Sequence, residues 1–187
     1  MISMIFRNST SHKTYGSKFF DKILKTTAKE LKIKDNFSLS VNLVGEKKIQ
    51  ELNKKYRHKN KPTDVLSFPL NEKLEIRNLK LEIDKDVGDI FVCLSIAKKE
   101  AKRENVSIKE KLAQLTVHGF LHLNGYDHEK SVAGAKKMFK LESRILEEIK
   151  FWKWQISNDK CQIKPKDQMT EIWILPACQQ AGILDID

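Results

Sequence analysis

Residues 107–128 read SIKEKLAQLTVHGFLHLNGYDH. Ser107 and Glu110 have the spacing of a capping box, in which the Ser side chain and the Glu three residues on satisfy each other's backbone N–H groups. Ile108, Leu112, Leu115, Gly119 and Leu123 then recur at helical spacing. Asn124-Gly125 is a stop signal. The helix so bounded carries His118 and His122, four residues apart and therefore on one face, one turn from each other. Reversal of the chain at Asn124-Gly125 lets the following Tyr-Asp-His bring His128 back to the same place. Three of the five histidines of the chain fall in these last eleven residues.

Outward from this helix, strands and helices interleave. ISMIFRN is a first short strand, and SKFFDKILKTTAKEL a helix with Ser17 as its cap and Phe20, Ile23, Leu24, Thr27 and Leu31 on one face. FSLSVNLV alternates strictly, as a half-buried strand does. EKKIQELNKKYR is helical, and Pro62 places its end near Arg57 or His58. VLSFPL is a strand, with Pro69 marking its end or an edge position. Residues 71–86 are highly charged and expected to be irregular. VGDIFVCL is a further strand, SIAKKEAKREN a helix, and AGAKKMFKLESRILEEI a last helix with Ala135, Met138, Leu141, Ile145 and Ile149 on its apolar stripe. No regular βαβ rhythm emerges, so the expected class is α+β, a mixed sheet flanked by helices. The texture changes after Lys150, where all three Trp and two of the three Cys lie. The expected division is a domain over residues 1–150 and a C-terminal extension over 151–187.

The chain has 187 residues, with 35 basic against 25 acidic, a net charge of +10. That balance favours a polyanionic partner. Among apolar runs, none approaches the ~20 residues of a membrane span, and the first residues do not read as a signal peptide. Cys93, Cys161 and Cys178 are widely spaced and odd in number, which supports neither a disulfide framework nor a thiolate zinc knuckle. Cys93 is expected to be a small buried hydrophobe. A cytoplasmic location is the default.

Three neutral imidazoles form a ligand set that suits zinc and leaves a fourth position open. An open position distinguishes a catalytic site from a closed structural one, because a water bound there has its pKa drawn toward ~7. A pair of solvated histidines accounts for His118 and His122, but not for a third behind a helix-stopping glycine. One Zn2+ per chain is the expected cofactor, although nickel, copper or iron accepts the same donors. Asp127 is placed to orient one of the imidazoles. A helical zinc protease needs Glu directly after its first His; here that place is Gly119. A glycine inside a helix costs about 1 kcal/mol relative to Ala, so a close approach of a neighbouring group is expected there.

A second constellation is NKKYRHKNKPTDVLSFP, residues 53–69. Lys54, Lys55, Arg57, His58, Lys59 and Lys61 crowd the end of a helix and the loop after it. Arg57 stands where the helix ends, and its planar fork can hold a phosphate at two points. Thr63 and Asp64 are expected to satisfy backbone groups of the turn. An open metal site, an anion-binding Arg and a basic surface together point to phosphodiester hydrolysis.

These residues resemble a known family. HGFLHLNGYDH is similar to the H-G-x-L-H-L-x-G-Y-D-H signature of the YbeY family of metal-dependent RNA endonucleases. NKKYRHKNKPTDVLSFP resembles that family's N-x-x-Y-R-x-x-x-x-P-T-D-V-L-S-F-P segment, and GDIFVC its G-D-I strand. The three occur in the family's order, and the likeness covers roughly residues 2 to 150. The resemblance implies one α+β domain and a zinc held by His118, His122 and His128. The residue it implicates in RNA binding and catalysis falls on Arg57; His118 is expected to be catalytic beside it, and Lys59 and Lys61, in a loop whose lysines otherwise read as a solvated basic surface, are the further RNA-binding candidates. The resemblance further implies action on single-stranded RNA, maturation of ribosomal RNA at the small-subunit 3′ end, ribosome quality control, and the small subunit with its proteins as partners. The two rival expectations are a ribosome-assembly factor with a structural zinc and a zinc hydrolase acting on another substrate class.

Overall fold

The computed structural model describes residues 2–12, 15–70 and 85–149. The chain divides into two compact units, Met1–Asn124 and Gly125–Asp187. In the first, β1 (Ile2–Asn8), α1 (Ser17–Glu30), β2 (Phe37–Val44), α2 (Glu46–Arg57), β3 (Val65–Pro69), β4 (Lys85–Cys93), α3 (Leu94–Arg103) and α4 (Ile108–Leu123) follow in order. The strands form one sheet in the order β1-β2-β4-β3. β1, β2 and β4 run parallel, and β3 runs antiparallel at the edge. The class is therefore α+β with a mixed sheet, as the sequence implies. In the second unit the described elements are the turn from Gly125 and α5 (Val132–Ile149).

α1 and α4 cover one face of the sheet and α2 the other. On the α4 face Phe120 stacks on Phe37 of β2, ring centroids 5.5 Å apart, and both are buried. Full burial of an aromatic or aliphatic side chain of this size stabilises the fold by about 1.5–3 kcal/mol. On the α2 face Val44, Ile49, Leu66 and Cys93 form a smaller core, flanked by Phe68 and Phe91. Cys93 is thus the buried hydrophobe expected of it, with a free thiol.

The helix α4 opens on the expected capping box. The Glu110 N–H donates to Ser107 Oγ at 3.2 Å, and the Ser107 N–H donates to Glu110 Oε2 at 2.7 Å. Gly119 explains itself at the contact with the sheet. A Cβ there would stand 2.8 Å from Ser67 Oγ and 2.9 Å from Ile90 Cγ2, so the helix backbone seats directly on β3 and β4.

Some expectations are corrected. Ser17 is not the cap of α1; it is the first helical residue, and the carbonyl of Gly16 in the cap position accepts from the Phe19 N–H. β2 is not half-buried: all of its residues but Ser38 are buried, because it is an interior strand. The alternation that suggested a wet face comes from Ser40 and Asn42. Asn42 Nδ2 donates to Ser40 Oγ at 2.8 Å, and Ser40 Oγ donates to the Asp89 carboxylate. On α5, Phe139 is buried with Ala135, Met138, Ile145 and Ile149, while Leu141 is half-buried. Of the charged excursion expected over 71–86, Lys85 and Asp86 are the first residues of β4, paired with Phe37 and Ser38 of β2; residues 71–84 and the tail beyond Ile149 lie outside the described residues.

A buried charge network ties α3 to α4. Lys111 is 5% exposed. Its Nζ donates to Glu104 Oε1 and Oε2 at 2.8 and 2.9 Å and lies 3.2 Å from Glu100 Oε2. Burial raises the Glu100 pKa above its ordinary 4.5, and the nearby Asp64 adds to the rise while Lys111 opposes it. A carboxyl with a raised folded pKa keeps its proton longer in the folded chain than in the unfolded one. Its effect is that stability falls as pH climbs from 4.5 through the raised folded value. Glu100→Gln should therefore raise the urea midpoint at neutral pH, with the gain shrinking toward pH 4.5. A lower midpoint at neutral pH would show that Glu100 is a net stabilising partner of Lys111.

Candidate metal centre

The C-terminal half of α4 presents His118 and His122 from one helical face, each half-buried. Their rings meet edge to face at 4.7 Å and 74°, and their Nε2 atoms converge to 3.1 Å. Asn124 ends the helix, its Nδ2 donating to the Phe120 carbonyl at 2.8 Å, and Gly125 takes φ +83° to reverse the chain.

In the second unit the loop after Gly125 is fixed by short-range bonds. Asp127 Oδ1 accepts the Glu129 N–H at 2.7 Å, and Asp127 Oδ2 pairs with Lys130 Nζ at 3.1 Å. Ser131 Oγ accepts the Gly134 N–H at 3.0 Å, the geometry of a helix N-cap. A Cβ on Gly134 would stand 2.7 Å from the Asp127 carbonyl oxygen. His128 is half-buried, and its ring lies parallel to Phe139 at 5.5 Å and 28°. Sequence reading missed this support: Ser131 three residues before Gly134 carries a cap signal, whereas Phe139 under an imidazole has no local signature.

The ligand nitrogens of His118, His122 and His128 all lie within 4.8 Å of one another. Two nitrogens bound at ~2.0–2.1 Å to a tetrahedral ion stand about 3.3–3.4 Å apart. The 3.1 Å pair in α4 is within a few tenths of an ångström of that spacing. Two imidazole nitrogens this close hold either a proton or a cation between them. A set of three nitrogen donors with no carboxylate matches a borderline-soft divalent ion such as zinc, so the residues present fit the expected metal.

Arg57, Lys59 and Lys61 are exposed and belong to α2 and the loop after it, on the other face of the sheet from α4. Phe120 near the end of α4 meets Phe37 at the start of β2, and Tyr56 at the end of α2 meets Phe68, opposite Asp89 in the middle of β4. His58 terminates α2 in the left-handed conformation, φ 57°. Buried Asn53 then clamps the basic loop, its carbonyl accepting the Lys59 N–H at 3.2 Å and its Nδ2 donating to the Lys61 carbonyl at 2.7 Å. Thr63 and Asp64 differ from expectation. Thr63 Oγ1 donates to Asp64 Oδ1 at 2.8 Å, and the Asp64 carbonyl takes the Cys93 N–H at 2.7 Å.

If the three imidazoles act as one ligand set, His122→Ala should abolish stoichiometric zinc in the purified full-length chain, read by elemental analysis after dialysis. Retention of one zinc by that variant would place the metal elsewhere.

The family model described as Endoribonuclease YbeY matches residues 5–150. The Endoribonuclease YbeY of Persephonella marina is 35% identical over 150 residues, spanning 80% of this chain and 94% of the relative. That of Staphylococcus carnosus is 42% identical over 128 residues, 68% of this chain and 82% of the relative. A solution structure of the Thermotoga maritima protein TM1509 superposes with a TM-score of 0.55 at 30% identity, covering 89% of this chain and all of that one. A match of this extent makes the chain a member of the YbeY family.

Proposed function

We propose that this chain is a zinc-dependent endoribonuclease of single-stranded RNA, with residues 1–150 as the nuclease domain and 151–187 as a C-terminal extension. The reading places it in ribosomal RNA maturation at the small-subunit 3′ end and in ribosome quality control. Its partners are then the small subunit and its proteins, and its location the cytoplasm. Among the described residues no helix is long and apolar enough to cross a membrane. The observation that carries the reading is the convergence of three imidazoles at the end of α4, in a chain whose relatives bear the name Endoribonuclease.

His118, His122 and His128 hold the ion, one per chain, and Asp127 helps to fix the loop that presents His128. A divalent cation in that place supplies Lewis-acid polarisation of a phosphodiester and activation of an attacking oxygen. Arg57, counted with His118 as catalytic, grips the phosphate at two points and offsets the charge that builds on its oxygens as the attacking oxygen bonds to phosphorus. Lys59 and Lys61 bind neighbouring phosphates through exposed ammonium groups, a contribution that falls with added salt. The bond from phosphorus to the departing ribose oxygen breaks, and that oxygen takes a proton. The nucleophile is water or the 2′-hydroxyl of the RNA, and the ends of the product tell them apart. Attack by the 2′-hydroxyl leaves a 2′,3′-cyclic phosphate; attack by water does not.

Arg57→Ala should leave the zinc content unchanged and slow cleavage of single-stranded RNA on the order of a hundredfold, the usual loss when one donor to a developing charge is removed. An unchanged rate removes Arg57 from the mechanism. A zinc-loaded wild type that cuts no RNA favours a structural metal in an RNA-binding assembly factor.

A further inference from the structure

Among the described residues, the large apolar side chains left exposed are Ile5, Tyr56, Leu70 and Val132, and Tyr56 is the aromatic one, 54% exposed. Its ring is braced from below. Phe68 meets it at 4.8 Å and 57°, and Phe91 meets Phe68 at 5.7 Å and 74°. Both phenylalanines pack on the small core under α2. Tyr56 is therefore the outer rung of an aromatic ladder rooted in the sheet, and its orientation is set before any ligand arrives.

The sequence around it is cationic. Lys54, Lys55, Arg57, Lys59 and Lys61 lie between positions 53 and 63, a span with no Asp or Glu. The backbone of the loop is pinned by Asn53 and by Gln50, whose Nε2 donates to the Asn60 carbonyl at 3.3 Å. Lys55 Nζ rests 5.1 Å from the centre of the Tyr56 ring. A cation–π contact on an exposed ring is weak, so a base that takes the ring face frees Lys55 for the phosphate of the same nucleotide. An aromatic face ringed by lysines is the combination that captures single-stranded nucleic acid, because every base has a π-face and bases inside a duplex are already stacked.

We propose that Tyr56 is the stacking platform for one unpaired base of the RNA substrate, and that this contact makes the chain select single strands. The proposal rests on the RNA-cleaving reading above. It adds the residue that reads strandedness to the residues that hold phosphate and metal. An acidic protein partner on the same patch is the competing occupant, and it would need no base.

The test is steady-state cleavage of a short single-stranded oligoribonucleotide by the zinc-loaded full-length chain, with KM and kcat determined separately. Tyr56→Ala should raise KM about 5- to 150-fold, the usual loss for one base–aromatic stack, and leave kcat within about twofold. Tyr56→Phe should keep the wild-type KM, and Tyr56→Trp should keep or lower it, a result that a folding defect cannot produce. Wild type acting on oligomers abasic at successive positions should lose the same factor at one position, and Tyr56→Ala should lose nothing further on that oligomer. An unchanged KM in Tyr56→Ala overturns the proposal. So does a Tyr56→Phe variant as weak as Tyr56→Ala, or the lack of any such position. Failure of the wild type to cut RNA at all overturns the RNA reading as well, whereas a wild type that cuts as fast as Tyr56→Ala at every concentration sinks the stacking role alone.

Discussion

At Gly119 the backbone of α4 lies so near the sheet that a single added carbon would meet Ser67 and Ile90 at under 3 Å. This contact sets how deep the helix sits, and His118 precedes it by one residue while His122 follows by three. The capping box at Ser107 and the Lys111 network hold the other end of the same helix. A helix anchored at its start by charge, in its middle by close packing and at its end by Asn124 has little freedom to turn about its axis. The convergence of two imidazoles to 3.1 Å depends on that rigidity. Glycine's poor helix propensity is the smaller term here; the packing that its missing side chain permits is the larger one.

The same sheet edge organises the charged part of the molecule. β3 is antiparallel to β4 and short, ending at Pro69, which leaves α2 and α4 to approach it from opposite faces. Imidazoles then stand at the end of one helix, and a lysine-rich helix end with its clamped loop stands at the end of the other. Under the proposed function this arrangement separates two tasks that compete in one pocket: ligands of a metal must be neutral and partly dry, whereas groups that meet a phosphate backbone must be charged and wet. A net charge of +10 in 187 residues is consistent with a long polyanion meeting more of the surface than the metal alone.

Much of this was legible in the residues. The capping box, the stop at Asn124-Gly125 and the end of α2 at Arg57 are local signals, and each emerges where the local chemistry places it. The histidine trio is local as well, spanning eleven residues. What the pattern misread depends on distant partners. Ser40 and Asn42 look like a solvent face, yet each meets the other and Asp89, 49 positions from Ser40. Lys111 looks like a surface lysine, and only the approach of α3 makes it an interior charge. Asn53 gave no sign of organising the basic loop, because its partners are backbone groups six and eight residues away. Ser17 has the residue type that favours a cap, whereas the backbone turns one residue earlier, at Gly16.

The central claim is that three imidazoles grip one divalent ion and leave a coordination position for the reaction. X-ray absorption at the zinc edge of the zinc-loaded full-length chain tests it directly. The account predicts three imidazole rings by their multiple-scattering signature and one further oxygen, all at about 2.0–2.1 Å. A first shell containing sulfur, or one with fewer than three imidazoles, would contradict it.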